Sequence, residues 1–164
     1  MDSLNIILKN AKKKYSDEEK EALAYKKNEI YKESLSELQP SDITNDVRNT
    51  LVALREKGIK LAIGSSSKNT MSIITKTDLI KYFDAVVDGN QISKSKPDPE
   101  VFLKVAEKLN LSPNECLIVE DAIPGINAGI AGGFKTIGIN DASHYNKATY
   151  KIDNIKEVLK CLED

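Results

Sequence analysis

The residues best suited to chemistry are Glu120 and Asp121, which end the apolar run Cys116-Leu117-Ile118-Val119 and are followed by Pro124-Gly125. Adjacent carboxylates carried by a buried strand to its carboxyl end suit a hard cation such as Mg²⁺, which takes oxygen ligands and keeps part of its water shell. Ser65 closes a second apolar run, Leu61-Ala62-Ile63-Gly64, and leads into Ser66 and Ser67. A hydroxyl with backbone N–H groups at the start of a helix can hold phosphate. Lys96 stands in Ser95-Lys96-Pro97-Asp98-Pro99. Pro97 predicts extended backbone at Lys96 and Pro99 predicts a helix start just beyond it. An ammonium so placed neutralises a phosphoryl oxygen or a carboxylate as a point charge. Cation, hydroxyl and lysine together point to phosphoryl chemistry. One part is absent, since no two aspartates in the sequence stand as Asp-x-Asp, a pair that would join a phosphoryl-accepting nucleophile to an acid/base.

Each feature also has a plainer reading: an acidic turn, helix-capping serines, a solvated lysine. Their combination carries the inference. His144 lies in a polar loop with no carboxylate or nucleophile at a readable spacing. Lys12, Lys13 and Lys14 read as a solvated helix face, and Asp84 and Asp88 bracket a short strand as capping or turn residues.

The elements that must position these groups change character along the chain. From Ser3 to Leu38 the apolar spacing is helical, and Ser16-Asp17-Glu18-Glu19 reads as a capping box that divides it into an antiparallel pair of helices. Gln39-Pro40-Ser41-Asp42 breaks the pattern and predicts a boundary between residues 1–38 and 39–164. Beyond it the spacing predicts helix 46–57 stopped by Gly58, strand 60–65, helix 69–77, strand 84–87 and helix 99–109. Strand 116–119, helix 126–131, strand 136–139 and helix 155–162 follow. Such alternation predicts an α/β fold with a parallel sheet and crossover helices. Ligands in such sheets sit beyond the carboxyl ends of the strands, where Ser65, Glu120 and Asp121 all fall.

Composition sets the bounds. With 164 residues, 40% hydrophobic and 30% charged, and a net charge of -1, the chain can build one real core and lacks the basic footprint of a nucleic-acid binder. Cys116 and Cys161 show no disulfide or metal-ligand spacing and read as reduced thiols. With no apolar run long enough for a membrane and a polar, lysine-rich start, the expectation is a cytoplasmic protein without membrane partners.

Gly64-Ser65-Ser66-Ser67-Lys68-Asn69, Ser95-Lys96-Pro97-Asp98-Pro99 and Val119-Glu120-Asp121 with Gly125-Ile126 resemble motifs two, three and four of the haloacid dehalogenase superfamily. Tyr82-Phe83-Asp84-Ala85 and Lys26-Lys27-Asn28 bring the resemblance closer, to the β-phosphoglucomutase family. The resemblance implies a Rossmann-like core with a partial helical cap over residues 1–38. It also implies Ser65 and Lys96 as catalytic residues, and Ser3, Lys27, Ser65, Ser66, Ser67, Lys68, Asn69 and Lys96 against a sugar phosphate. Glu120 and Asp121 would hold Mg²⁺. The implied reaction moves a phosphoryl group between the C1 and C6 oxygens of glucose through an aspartyl-phosphate; a sugar-phosphate phosphatase shares every motif. Against the family pattern, the chain lacks the first strand with its nucleophile, the central one, expected between the strands ending at Ser65 and at Asp121. Self-association or a complementing N-terminal segment is the expectation that follows, with the chain as given inactive. Thr44-Asn45-Asp46 is a smaller departure, standing where relatives usually carry Pro-Gly.

Overall fold

The computed structural model describes residues 8, 11, 13 and 15–162. The chain divides into two compact units, Met1–Leu38 and Gln39–Asp164. In the first, helix α1 (Asp17–Ser36) opens on Ser16, whose hydroxyl accepts from Glu19 N while the Glu19 carboxylate accepts from Ser16 N. This is the capping box expected from the sequence, two orphan donors satisfied reciprocally. The helix expected ahead of it falls largely outside the described residues.

The second unit is α/β, and all its strand pairing is parallel. Thr44 caps helix α2 (Asn45–Glu56), which ends where Gly58 takes a positive φ of 74°. Strand β1 (Ala62–Gly64), helix α3 (Thr70–Lys76) and strand β2 (Ala85–Val87) follow, then helix α4 (Glu100–Leu109), closed by Asn110 in the left-handed conformation. Strand β3 (Leu117–Glu120), helix α5 (Ile123–Ala131) and strand β4 (Lys135–Gly138) complete the regular alternation. A two-residue strand β5 (Tyr150–Lys151), too short to show a period, adds to β4. Residues Ile155–Leu162 form the last expected helix, in the 3₁₀ form. At the start of the second unit Pro40–Asp42 form a 3₁₀ turn whose Pro40 carbonyl accepts from Arg48.

The strands form two sheets among the described residues, β1-β2 and β3-β4-β5. Neighbouring residues of β3 enter different apolar clusters. Ile118 packs with Val87, Phe102 and Ala128, whereas Leu117 packs with Leu54, Ile137 and Val158. Successive strand side chains point to opposite faces, so the clusters lie on opposite sides of the strand layer. The first cluster draws on both sheets through Val87 and Ile118, and the second takes in Leu61, just ahead of β1, with Leu117 of β3. The two sheets are therefore parts of one layer, held by shared cores without direct pairing between β1 and β3.

Candidate functional site

Lys96 joins the two sheets. Its ammonium donates to the carbonyl of Gly64, the last residue of β1, at 3.1 Å and pairs with the carboxylate of Glu120, the last residue of β3. It also sits over the Phe102 ring, 4.6 Å from the centroid, where the ring quadrupole favours a cation. The side chains of Lys96 and Glu120 are only 18% and 10% exposed, so the pair is largely shielded from solvent. Gly125, in the first turn of α5, makes room for it, since a Cβ there would overlap the Glu120 carboxyl group. Pro124 and Gly125 thus belong to the helix start and do not break the chain, because Pro at the first turn loses no hydrogen bond.

The loop carrying Lys96 is fixed by Glu100. That carboxylate accepts from Ser93 N at 2.9 Å, Ser93 Oγ at 2.8 Å, Lys94 N at 2.7 Å and Lys104 Nζ at 2.7 Å. Lys104 first, then Ser93, hold the Glu100 carboxyl down to about 2. Asp98 N donates to Ser95 O at 3.1 Å, closing a turn that contains a cis Lys96–Pro97 bond. Proline makes the cis form accessible, which the preference of the preceding residue alone does not reveal.

Ser65 follows Gly64, so its hydroxyl begins one residue from the carbonyl that Lys96 holds. The loop Ser65–Asn69 is ordered by its own side chains: Ser65 Oγ accepts from Ser67 N at 3.1 Å, and Ser67 Oγ accepts from Asn69 N at 3.2 Å. The Ser67 amide, expected to be an open phosphate donor, is therefore consumed inside the loop, and the helix begins three residues later, at Thr70. Hydroxyls of serine readily bond backbone two residues on, and that local competition took the donor. The Ser66 N–H and the Ser65 hydroxyl proton have no partner among the described residues. Lys68 and Asn69 side chains make no hydrogen bond among the described residues. A second segment buttresses the loop, through Gly89 N to Ser67 O at 3.0 Å and Asn90 Nδ2 to Lys68 O at 3.1 Å. A Cβ at Gly89 would overlap the Ser66 carbonyl, so the approach requires glycine. Buried Asp88 accepts from Asn90 N at 2.9 Å, and Asp84 pairs with Arg55 and accepts from Leu61 N at 2.8 Å. Both aspartates serve turns and strand entry, as their spacing suggested.

Asp121 is exposed, and its backbone carbonyl accepts from Ala142 N at 3.0 Å. Ser65, Lys96, Glu120 and Asp121 thus meet at one edge of the layer, with Ser66, Ser67, Lys68 and Asn69 on the adjoining loop. Lys27 lies on α1 in the other unit, Ser3 falls outside the described residues, and His144 is an exposed loop residue. Phe102, Gly89 and Glu100 were not legible as site residues, because their contribution lies in contacts with other segments. Chemically the arrangement can bind and neutralise an oxyanion. As a Mg²⁺ site it is incomplete: no three His, Cys, Asp or Glu residues converge among the described residues, and Glu120 is already tied to Lys96. Mg²⁺ demands a near-ideal octahedron, which two carboxylates do not provide.

A family model described as haloacid dehalogenase-like hydrolase matches residues 2–139. The β-phosphoglucomutase of Bacillus subtilis (strain 168) is 36% identical over 134 residues, covering 82% of this chain. The phosphorylated carbohydrates phosphatase of Thermotoga maritima is 33% identical over 141 residues, covering 84%. The chain spans 59% of the length of each of these two relatives. The crystal structure of β-phosphoglucomutase from Clostridium difficile superimposes with a TM-score of 0.86 at 30% identity, over 99% of this chain and 74% of that one.

Proposed function

The chain belongs to the haloacid dehalogenase-like hydrolase family, and from that premise we propose that it carries the phosphate-holding half of a site for phosphoryl transfer on sugar phosphates, of the β-phosphoglucomutase type. The observation that supports this reading most is the Lys96 ammonium held between the carboxyl ends of β1 and β3, with Ser65 beside it. In this reading Ser65 Oγ and the Ser66 amide bind the phosphoryl oxygens and Lys96 balances their charge. Preorganised donors of this kind need no reorganisation when charge develops. Ser67, Lys68 and Asn69 face the sugar phosphate. Glu120 and Asp121 would hold Mg²⁺, weakly as the site stands, and the ion would supply further charge neutralisation at the phosphoryl oxygens. Lacking Asp-x-Asp, the 164-residue chain forms no aspartyl-phosphate and binds without turning over. The same reading places it in the cytoplasm.

The phosphatase relative, matched over as much of the chain, supports a second reading in which water, not a sugar hydroxyl, is the acceptor. Both readings share the binding test. Titration of ¹⁵N-labelled protein with glucose 6-phosphate should shift the Ser66 amide. Ser65→Ala or Lys96→Met should weaken binding roughly tenfold, as the loss of a hydrogen bond to a charged group does. An unmoved Ser66 amide, or equal affinity in Lys96→Met, would overturn the assignment.

A further inference from the structure

One connection, from Asp88 just past β2 to Asp98 shortly before α4, serves both sides of the site. Its first part buttresses the serine loop, with Gly89 N donating to Ser67 O at 3.0 Å and Asn90 Nδ2 donating to Lys68 O at 3.1 Å. Its second part carries Lys96, whose ammonium spans the ends of β1 and β3. The spacing between these two parts therefore sets the spacing between the serine loop and the lysine that face the phosphoryl group in the proposed function.

The middle of the connection is gripped by α4. Lys108, Lys104 and Glu100 stand one turn apart on that helix and meet the chain in reverse order. Lys108 Nζ donates to Val86 O at 2.9 Å and to Gln91 Oε1 at 2.6 Å. Lys104 Nζ donates to Gln91 O at 2.6 Å and to Glu100 Oε1 at 2.7 Å. The Glu100 carboxylate accepts from Ser93 N at 2.9 Å and from Lys94 N at 2.7 Å. The order of charges matches the backbone: a carbonyl only accepts and an amide only donates, so Gln91 O requires the cation while Ser93 and Lys94 require the anion. An i,i+4 ion pair on an exposed helix face contributes little by itself, and Lys104 is 40% exposed. Here each partner also fixes backbone of the connection. None of the Lys104 hydrogen bonds goes to the serine loop or to Lys96.

From this geometry we infer that Lys104 and Glu100 form a clamp on the connection between β2 and α4, and that Lys104 is a positioning residue for phosphoryl binding. By holding Gln91 against Glu100, it makes the buttress of the serine loop and the turn at Lys96 move as one body. Two binding elements held at a fixed spacing spend less of their interaction energy on ordering when the ligand arrives. The clamp stands on hydrogen bonds within the chain; its consequence for affinity rests on the proposed function.

Amide hydrogen exchange on the full chain tests the clamp, read at Gly89, Ser93 and Lys94 with Ala106 and Leu109 of α4 as controls. Lys104→Met should speed exchange at the three loop amides roughly tenfold, as the loss of a hydrogen bond to a charged group does, and leave the two controls unchanged. Lys104→Arg, whose guanidinium still donates to a carbonyl and a carboxylate, should keep the wild-type rates. The charge exchange Glu100→Lys with Lys104→Glu preserves the attraction along the helix but presents an anion to a carbonyl and a cation to amides. Its loop amides should exchange as fast as those of Lys104→Met. Glucose 6-phosphate should bind Lys104→Met roughly threefold more weakly than the wild type. Unchanged exchange at Gly89 in Lys104→Met would overturn the inference. So would wild-type protection in the charge-exchanged variant, which would reduce the pair to support for the helix. Altered exchange with equal affinity would overturn the positioning role. A wild type that does not bind glucose 6-phosphate would count against the proposed function instead, and the exchange rates would still decide the clamp.

Discussion

At the scale of single residues, the Lys96–Glu120 pair is the feature on which most of the site's geometry depends. Removing the lysine leaves a shielded carboxylate without its cation, a change that costs several kcal/mol when a pair is fully buried. With side-chain exposures of 18% and 10%, Lys96→Met should destabilise the chain by about 2 kcal/mol in urea titration. The double variant Lys96→Met with Glu120→Gln should recover part of that loss, because no charge is then stranded. Gly125→Ala tests the same pair from the other side. An added Cβ overlaps the Glu120 carboxyl group and must push it off Lys96. A loss of about 1–3 kcal/mol is expected despite alanine's better helix propensity.

At the scale of elements, the loop from Ser93 to Asp98 owes its shape to a carboxylate on the helix that follows it. Glu100 gathers that loop through Ser93 and Lys94 only while it is ionised. Its carboxyl group is lowered from 4.5 to about 2 in the folded chain. A lowered carboxyl contributes stability above the unfolded value, and that contribution is lost as pH falls through the folded one. Thermal melts should therefore show an acid-side loss between pH 4.5 and about 2 that is smaller in Glu100→Gln. Loosening of the Lys96 loop over the same window should appear as faster exchange at the Ser93 and Lys94 amides. Equal pH profiles for the two proteins would mean that Glu100 does not anchor the loop.

At the scale of the whole molecule, two expectations concern activity. The purified 164-residue chain should not convert β-glucose 1-phosphate, since no two of its aspartates stand as Asp-x-Asp. A coupled assay for glucose 6-phosphate checks this, and turnover abolished by Asp121→Ala would contradict it. Calorimetry with Mg²⁺ should show binding in the millimolar range or weaker, because two carboxylates fill only part of an octahedral shell. Tight binding would mean that another side chain completes the site.

The sequence by itself determined the local elements, because their signals act across one turn of chain. The Ser16-to-Glu19 capping box, the stop at Gly58 and the helix opened by Pro99 each depend on residues a few positions apart. It also determined which residues would share an edge, since strand ends in an α/β layer collect at one side. Tertiary structure alone decided the division into two sheets and the turn at Lys96. It alone placed Phe102, Glu100 and Gly125 around the site. The loss of the Ser67 amide to Ser65 was a local competition whose outcome composition did not announce. Lys96 meets Gly64 and Glu120 across separations of 32 and 24 residues. Nothing in the spacing of side chains along a segment encodes such a meeting, because it depends on how the layers pack and on which strand edges find a partner.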